Sequence, residues 1–168
     1  MRVLGIDPGY AIVGWGVVEY AGNRFAPVDF GAVCTDAGVP FERRLDEVYT
    51  GIKEVIERTK PEVLAIEKLF YQHNQTTVIG VAEARGVILL AAAQAGLPIY
   101  EYTPMQVKQA VVGYGNASKH QVQDMTKRLL HLQAMPKPDD AADAIAIALC
   151  HARSATSLLA QAEKQAER

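Results

Sequence analysis

The spacing of hydrophobic positions changes several times along the chain, and each change marks a new element. Arg2–Asp7 (RVLGID) is a short apolar run that stops at Pro8-Gly9, a turn pair, and reads as a strand. Ala11–Tyr20 and Phe25–Thr35 are β-rich runs separated by Ala21-Gly22-Asn23-Arg24, which predicts a hairpin. From Pro40 to Thr59 the period lengthens. Phe41, Leu45, Val48, Ile52, Val55 and Ile56 recur at helical spacing with charges between them, so an amphipathic helix is expected, ended by Lys60-Pro61. Glu62–Glu67 (EVLAIE) predicts a short buried strand. Gln75–Gln94 is helical in type but apolar nearly all round, which predicts burial on more than one side, either inside the fold or at a subunit interface. Leu97–Tyr102 reads as a fifth strand closed by Thr103-Pro104. Ser118 with Gln121 forms a capping-box pattern that opens another helix. A final helix is expected from about Asp140 through Ala144–Cys150.

Three meandering strands followed by α/β alternation predict one α/β domain over residues 1–154. Its sheet is expected to be mixed and five-stranded, with three antiparallel and two parallel strands, flanked by helices. The Ala/Gln/Glu-rich tail over 155–168 is expected to fray.

Composition narrows the function classes only in part. With 49% hydrophobic and 21% charged residues, the 168-residue chain is of globular type. No stretch reaches the roughly 20 uninterrupted apolar residues of a membrane helix. The start MRVLGID lacks a signal-type pattern, so a cytoplasmic protein with Cys34 and Cys150 reduced is expected. The net charge of −2 argues mildly against nucleic acid as a partner. Against that, Lys108, Lys119, Lys127 and Arg128 fall between positions 106 and 131, where Asp124 is the only acid. A local basic stretch can bind phosphates on a protein that is acidic as a whole.

The acids carry more information. Asp7 and Glu67 each end an apolar strand, and strand carboxyl ends commonly line the sites of α/β sheets. Either one alone could cap a turn or pair with a cation. In Asp139-Asp140-Ala141-Ala142-Asp143, Asp139 suits the first turn of a helix. Asp143 lies about a turn inside, before seven apolar residues, and shares a face with Asp140. Convergence of Asp7, Glu67, Asp140 and Asp143 would need a cation to offset the repulsion. Hard divalent ions such as Mg²⁺ prefer oxygen ligands. Two of them roughly 3.5–4 Å apart could clamp a phosphodiester, one activating water and the other stabilising the departing oxygen.

The segments IDPGYAIVGWGVVE, AIEKLFYQHN, EARGVILLAAAQAGLPIYEYTPMQVKQAVVGYGNASKHQV and DDAADAIAIA occur in this order. Over positions 2 to 152 they resemble the successive motifs of the RuvC family of Holliday junction resolvases. That resemblance implies an RNase H-like fold, a homodimer, and paired symmetric incisions in four-way DNA junctions. It also implies dependence on Mg²⁺ or Mn²⁺, which fits the two ions that the four acids could hold, and partnership with the RuvA and RuvB branch-migration proteins. The family's acidic tetrad falls on Asp7, Glu67, Asp140 and Asp143, all of them acids here.

Phe70 and Tyr71, followed by polar Gln72-His73-Asn74-Gln75, could close the core or stack on unpaired bases. The resemblance favours stacking, for Phe70 above all. Lys108 and Lys119 bracket the loop Gly113-Tyr114-Gly115-Asn116. Read alone they are solvated lysines; the resemblance makes them phosphate contacts, which position DNA without reading its sequence. His73, His120, His131 and His151 show no metal-ligand spacing, and Trp15 is expected in the core. A two-fold symmetric dimer would set two identical sites against opposed strands of a junction, with Gln75–Gln94 as the interface helix. The rivals are another nuclease of the same fold, an actin-like or sugar-kinase ATPase, for whose second lobe 168 residues leave no room, and a non-catalytic junction-binding module.

Overall fold

The computed structural model describes residues 1–69 and 75–166, with side chains described for 1–69 and 77–155. Three strands come first: β1 (Arg2–Asp7), β2 (Ile12–Ala21) and β3 (Arg24–Cys34). The turn between β2 and β3 places Gly22 at φ 54° and Asn23 at φ 62°. This is the left-handed region that a two-residue hairpin of this twist requires, and glycine and asparagine tolerate it best. Helix α1 (Phe41–Thr59) follows, then β4 (Val63–Glu67), α2 (Gln75–Gln94) and β5 (Ile99–Tyr102). The chain closes with α3 (Pro104–Val112), α4 (Lys119–Leu129) and α5 (Asp139–Ala166).

The strands form one mixed sheet in the order β3-β2-β1-β4-β5. β1, β2 and β3 are antiparallel neighbours, while β4 and β5 run parallel to β1. The expected five-stranded sheet, three strands antiparallel and two parallel, is therefore present.

Strand alternation divides the core in two. Leu4, Ile6, Val13, Trp15, Val17, Leu64 and Ile66 point to one face, under α1 and α2. Val3, Val18 and Ala65 point to the other, under α3, α4 and α5. By the same alternation Asp7 lies on the α5 side with Val3 and Gly5, and Glu67 lies there with Ala65.

Three glycines let α5 lie against the sheet backbone. A Cβ on Gly5 would stand 2.0 Å from the Ala144 carbonyl oxygen, and one on Gly14 would stand 2.0 Å from that of Asp140. A Cβ on Gly16 would meet the Ile145 side chain at 2.4 Å. Any side chain at these positions would push the helix outward.

Helix α2 resolves an alternative that its composition left open. Ala84, Ile88, Ala91 and Ala92 are buried, but Ile79 is 66% and Leu90 49% exposed on the opposite side. The helix is thus covered on one face within the chain, and is not enclosed on both. Helix α3 does not follow from hydrophobic spacing. Its start is nonetheless a capping box, with Gln106 N–H donating to Thr103 Oγ1 and Thr103 N–H donating to Gln106 Oε1.

Candidate active site

β1 and β4 are parallel and paired in register from Val3–Val63 to Ile6–Ile66. The next residue on each strand is Asp7 and Glu67, so the two carboxylates end adjacent strands at one level and on one face. Helix α5 begins over this edge, brought close by Gly14 beneath Asp140. Asp143 is one turn further in and turned toward the strand ends. Asp7, Glu67 and Asp143 line a cleft of about 260 Å³ together with Lys108, Lys119, Pro104, Val107 and Val122. Asp140 sits beside this lining, near enough to act on Asp7 electrostatically.

The electrostatics are those of crowded acids. Burial, then the negative charges of Glu67, Asp143 and Asp140, push the Asp7 carboxyl up to about 7, with Lys119 opposing. Burial also raises Glu67, and Asp143 adds to it. The Nζ of Lys119 lies 2.8 Å from Asp143 Oδ2 and 3.9 Å from Asp139 Oδ2. The hydrogen bond to Asp143 is the main reason that the Lys119 ammonium is raised.

All six sequence-predicted residues that lie in the described part thus gather at one edge of the sheet: Asp7, Glu67, Asp140, Asp143, Lys108 and Lys119. Phe70 and Tyr71 lie outside the described residues. The basic stretch divides. Lys108 and Lys119 face the cleft, whereas Arg128 pairs with Asp124 and lines a separate hollow beside Arg24 and Arg153. The sequence reasoning missed the Lys119–Asp143 ion pair, which joins α4 to α5 across a separation no spacing rule covers. It also missed the cleft wall that α3 builds from Pro104 and Val107.

The donor chemistry fits a hard divalent cation. The cleft's anionic donors are carboxylate oxygens, and Asp7 is raised first by burial and then by the negative charges of Glu67, Asp143 and Asp140, both of which a bound cation would offset. As the side chains stand, no group of three His, Cys, Asp or Glu among the described residues is gathered closely enough to hold an ion. The positive charge against Asp143 is supplied by Lys119.

Fold and site together define an RNase H-like protein with a cluster of acids at one edge of its sheet. The family model described as "Crossover junction endodeoxyribonuclease RuvC" matches residues 3–151. This chain belongs to the RuvC family. The RuvC of Caldanaerobacter subterraneus subsp. tengcongensis is 57% identical over 154 residues, covering 92% of this chain and 93% of that relative. The RuvC of Brevibacillus brevis is 54% identical over 153 residues, covering 91% and 92%. Among solved structures, Thermus thermophilus RuvC in complex with Holliday junction substrate superposes with a TM-score of 0.88 at 40% identity, covering 92% of this chain and 94% of that one. The yeast mitochondrial resolvase Ydc2 shares the fold at a TM-score of 0.64 and 15% identity, covering 90% and 78%.

Proposed function

We propose that this protein resolves four-way DNA junctions by metal-dependent hydrolysis, cutting two opposed strands symmetrically as a homodimer. The observation that carries the reading is the meeting of Asp7 and Glu67, on adjacent parallel strand ends, with Asp143 across a cleft that also holds Lys108 and Lys119. The junction-bound Thermus thermophilus relative supports the choice of substrate.

Asp7, Glu67, Asp140 and Asp143 would hold the divalent ions, Mg²⁺ or Mn²⁺ and two per site. When bound, such ions supply the positive charge that favours both the attack of water on phosphorus and the departure of the 3′ oxygen. The chain's own groups do the rest. The glycine floor under α5 lets that helix bring its acids up to the strand ends. Lys108 and Lys119 approach from α3 and α4 and would fix the phosphodiester in the cleft. Phe70 above all, with Tyr71 beside it, three and four residues past Glu67 in the sequence, would stack on bases unpaired at the crossover.

The dimer reading is supported by α2. Its outer face carries exposed Ile79 and Leu90, with Gly86 between them having open space where a Cβ would be. In length and composition the span Thr77–Gln94 would also pass for a membrane helix. However, Arg85 of this helix pairs with Glu101 at 2.9 Å, and its inner face packs against α1. A second copy is the occupant this reading assigns to the outer face, and a soluble enzyme, cytoplasmic as the family resemblance implies, goes with it. RuvA and RuvB are the partners this reading carries with it.

The decisive experiment uses an end-labelled mobile four-way junction, with and without Mg²⁺ or Mn²⁺, beside Asp7→Asn. Paired symmetric nicks that need the metal and vanish in the variant are expected. Tight junction binding with no cutting under either metal would reduce the protein to a binding module.

A further inference from the structure

Lys119 is the first residue of α4, and its side chain crosses to α5 to reach Asp143 at 2.8 Å. Lys108 lines the same cleft but makes no ion pair among the described residues. The two lysines therefore differ in kind. An ammonium at hydrogen-bond distance occupies a carboxylate oxygen and neutralises its charge, and a divalent ion would need both. The pair is also easily opened. The Lys119 side chain is 57% exposed, on a long flexible stem, and Asp139 Oδ2 at 3.9 Å gives its charge a second partner.

We propose that Lys119 is an exchangeable internal counter-ion. It holds Asp143 in the metal-free protein and moves to a DNA phosphate when substrate enters, which frees Asp143 for a divalent cation. The inference rests on the metal-dependent reading above and adds a coupling to it. Metal and substrate each favour the same displaced position of one side chain, so each strengthens the binding of the other. Away from DNA the site would bind metal weakly, which would limit stray nicking.

Two measurements test the exchange without relying on cleavage. In the first, Mn²⁺ is titrated into the metal-free protein and free ion is followed by its electron paramagnetic resonance signal. Lys119→Gln should bind Mn²⁺ about tenfold tighter than wild type, the order expected of a half-exposed charge-assisted pair. Lys108→Gln removes an equal charge from the same cleft and should change the affinity less than about threefold. Equal effects of the two substitutions, or no tightening by Lys119→Gln, would overturn the proposal.

In the second, junction binding is measured in EDTA for wild type, Asp143→Asn, Lys119→Gln and the double variant. Asp143→Asn should tighten binding about tenfold by releasing Lys119, and the gain should fall below about threefold when Lys119 is already Gln. The same gain in both backgrounds would overturn exchange. These outcomes separate from the functional reading. Wild type that nicks junctions while Lys119→Gln leaves Mn²⁺ affinity unchanged loses only the exchange. Wild type that shows the Mn²⁺ and EDTA patterns but nicks nothing keeps the exchange and loses the nuclease.

Discussion

Replacing Asp7 with Asn should remove cutting and, at alkaline pH without metal, make the protein more stable. The folded protein holds the Asp7 carboxyl near 7 against 3.8 for the free group. Between pH 4 and 7 it therefore keeps a proton that the unfolded chain has released, and wild-type stability falls as pH rises through that window. At roughly 1.4 kcal/mol per pH unit, the penalty is about 1.5 kcal/mol at pH 5 and about 4 kcal/mol at pH 8. Asn carries no charge and avoids it. Proton sharing among the four acids and partial solvent access bring the expected pH 5 to pH 8 difference down to roughly 2 kcal/mol.

Thermal unfolding of wild type and Asp7→Asn in EDTA at both pH values reads this directly. For a chain of this size, 2 kcal/mol is roughly 4–8 °C in Tm, so the variant's advantage should grow by that much from pH 5 to pH 8. His151, which burial holds below its usual value, titrates alike in both proteins and cancels. Mn²⁺ at pH 8 should reverse the order, stabilising wild type more than the variant. A variant destabilised equally at both pH values would show that Asp7 is an ordinary capping carboxylate, not one of a repelling group.

Gly14→Ala puts a methyl group where the Asp140 carbonyl lies 2.0 Å away; it should cost roughly 1–3 kcal/mol in urea unfolding and lower cutting by more than the unfolded fraction explains. Lys108→Gln should weaken junction binding at low salt and reduce the log K against log salt slope by about 1, and an unchanged slope would mean that Lys108 touches no phosphate. Ile79→Glu on the outer face of α2 should shift sedimentation to the monomer and turn paired nicks into single ones, while a variant that stays dimeric would move the interface elsewhere. Tyr102→Phe leaves His151 Nδ1, 2.8 Å from the lost hydroxyl, without that partner and should cost roughly 1–2 kcal/mol with little change in metal binding.

The parts of this molecule that depend on local rules are legible in the chain itself. Asp7 and Glu67 stand out because each is an acid where an apolar strand stops. Pairing β1 with β4 in register then brings them side by side. The Gly22-Asn23 turn and the Ser118–Gln121 box likewise follow from residue chemistry at fixed offsets. Helix α3 carries the same kind of signal in Thr103 and Gln106, but Thr103-Pro104 equally suits the close of a strand. Pro104 in fact occupies the first turn of a nine-residue helix, where a missing N–H costs nothing. Only Val107 and Val111 are buried on it, too few for a period to show. For α2 the apolar residues encircle the helix, so no face stands out, and which side the fold covers is set by α1 and the sheet.

What sequence could least reveal is how the acids come to act on one another, because that depends on side chains that are missing. Gly5, Gly14 and Gly16 look like weak strand positions, yet their bareness lets α5 descend until Asp140 and Asp143 reach the ends of β1 and β4. The same descent buries Asp7 and sets like charges against it, and these are the two causes that raise it to about 7. Close packing and electrostatic strain are therefore one feature with two consequences. A substitution that relaxes the strain by lifting α5, such as Gly14→Ala, should lower Asp7 toward its ordinary range and lose the metal site with it. Asp7→Asn relaxes the strain and leaves the helix where it is. Comparing Mn²⁺ affinity in the two variants, each folded, would show whether the spacing of the acids or their number sets the strength of the site.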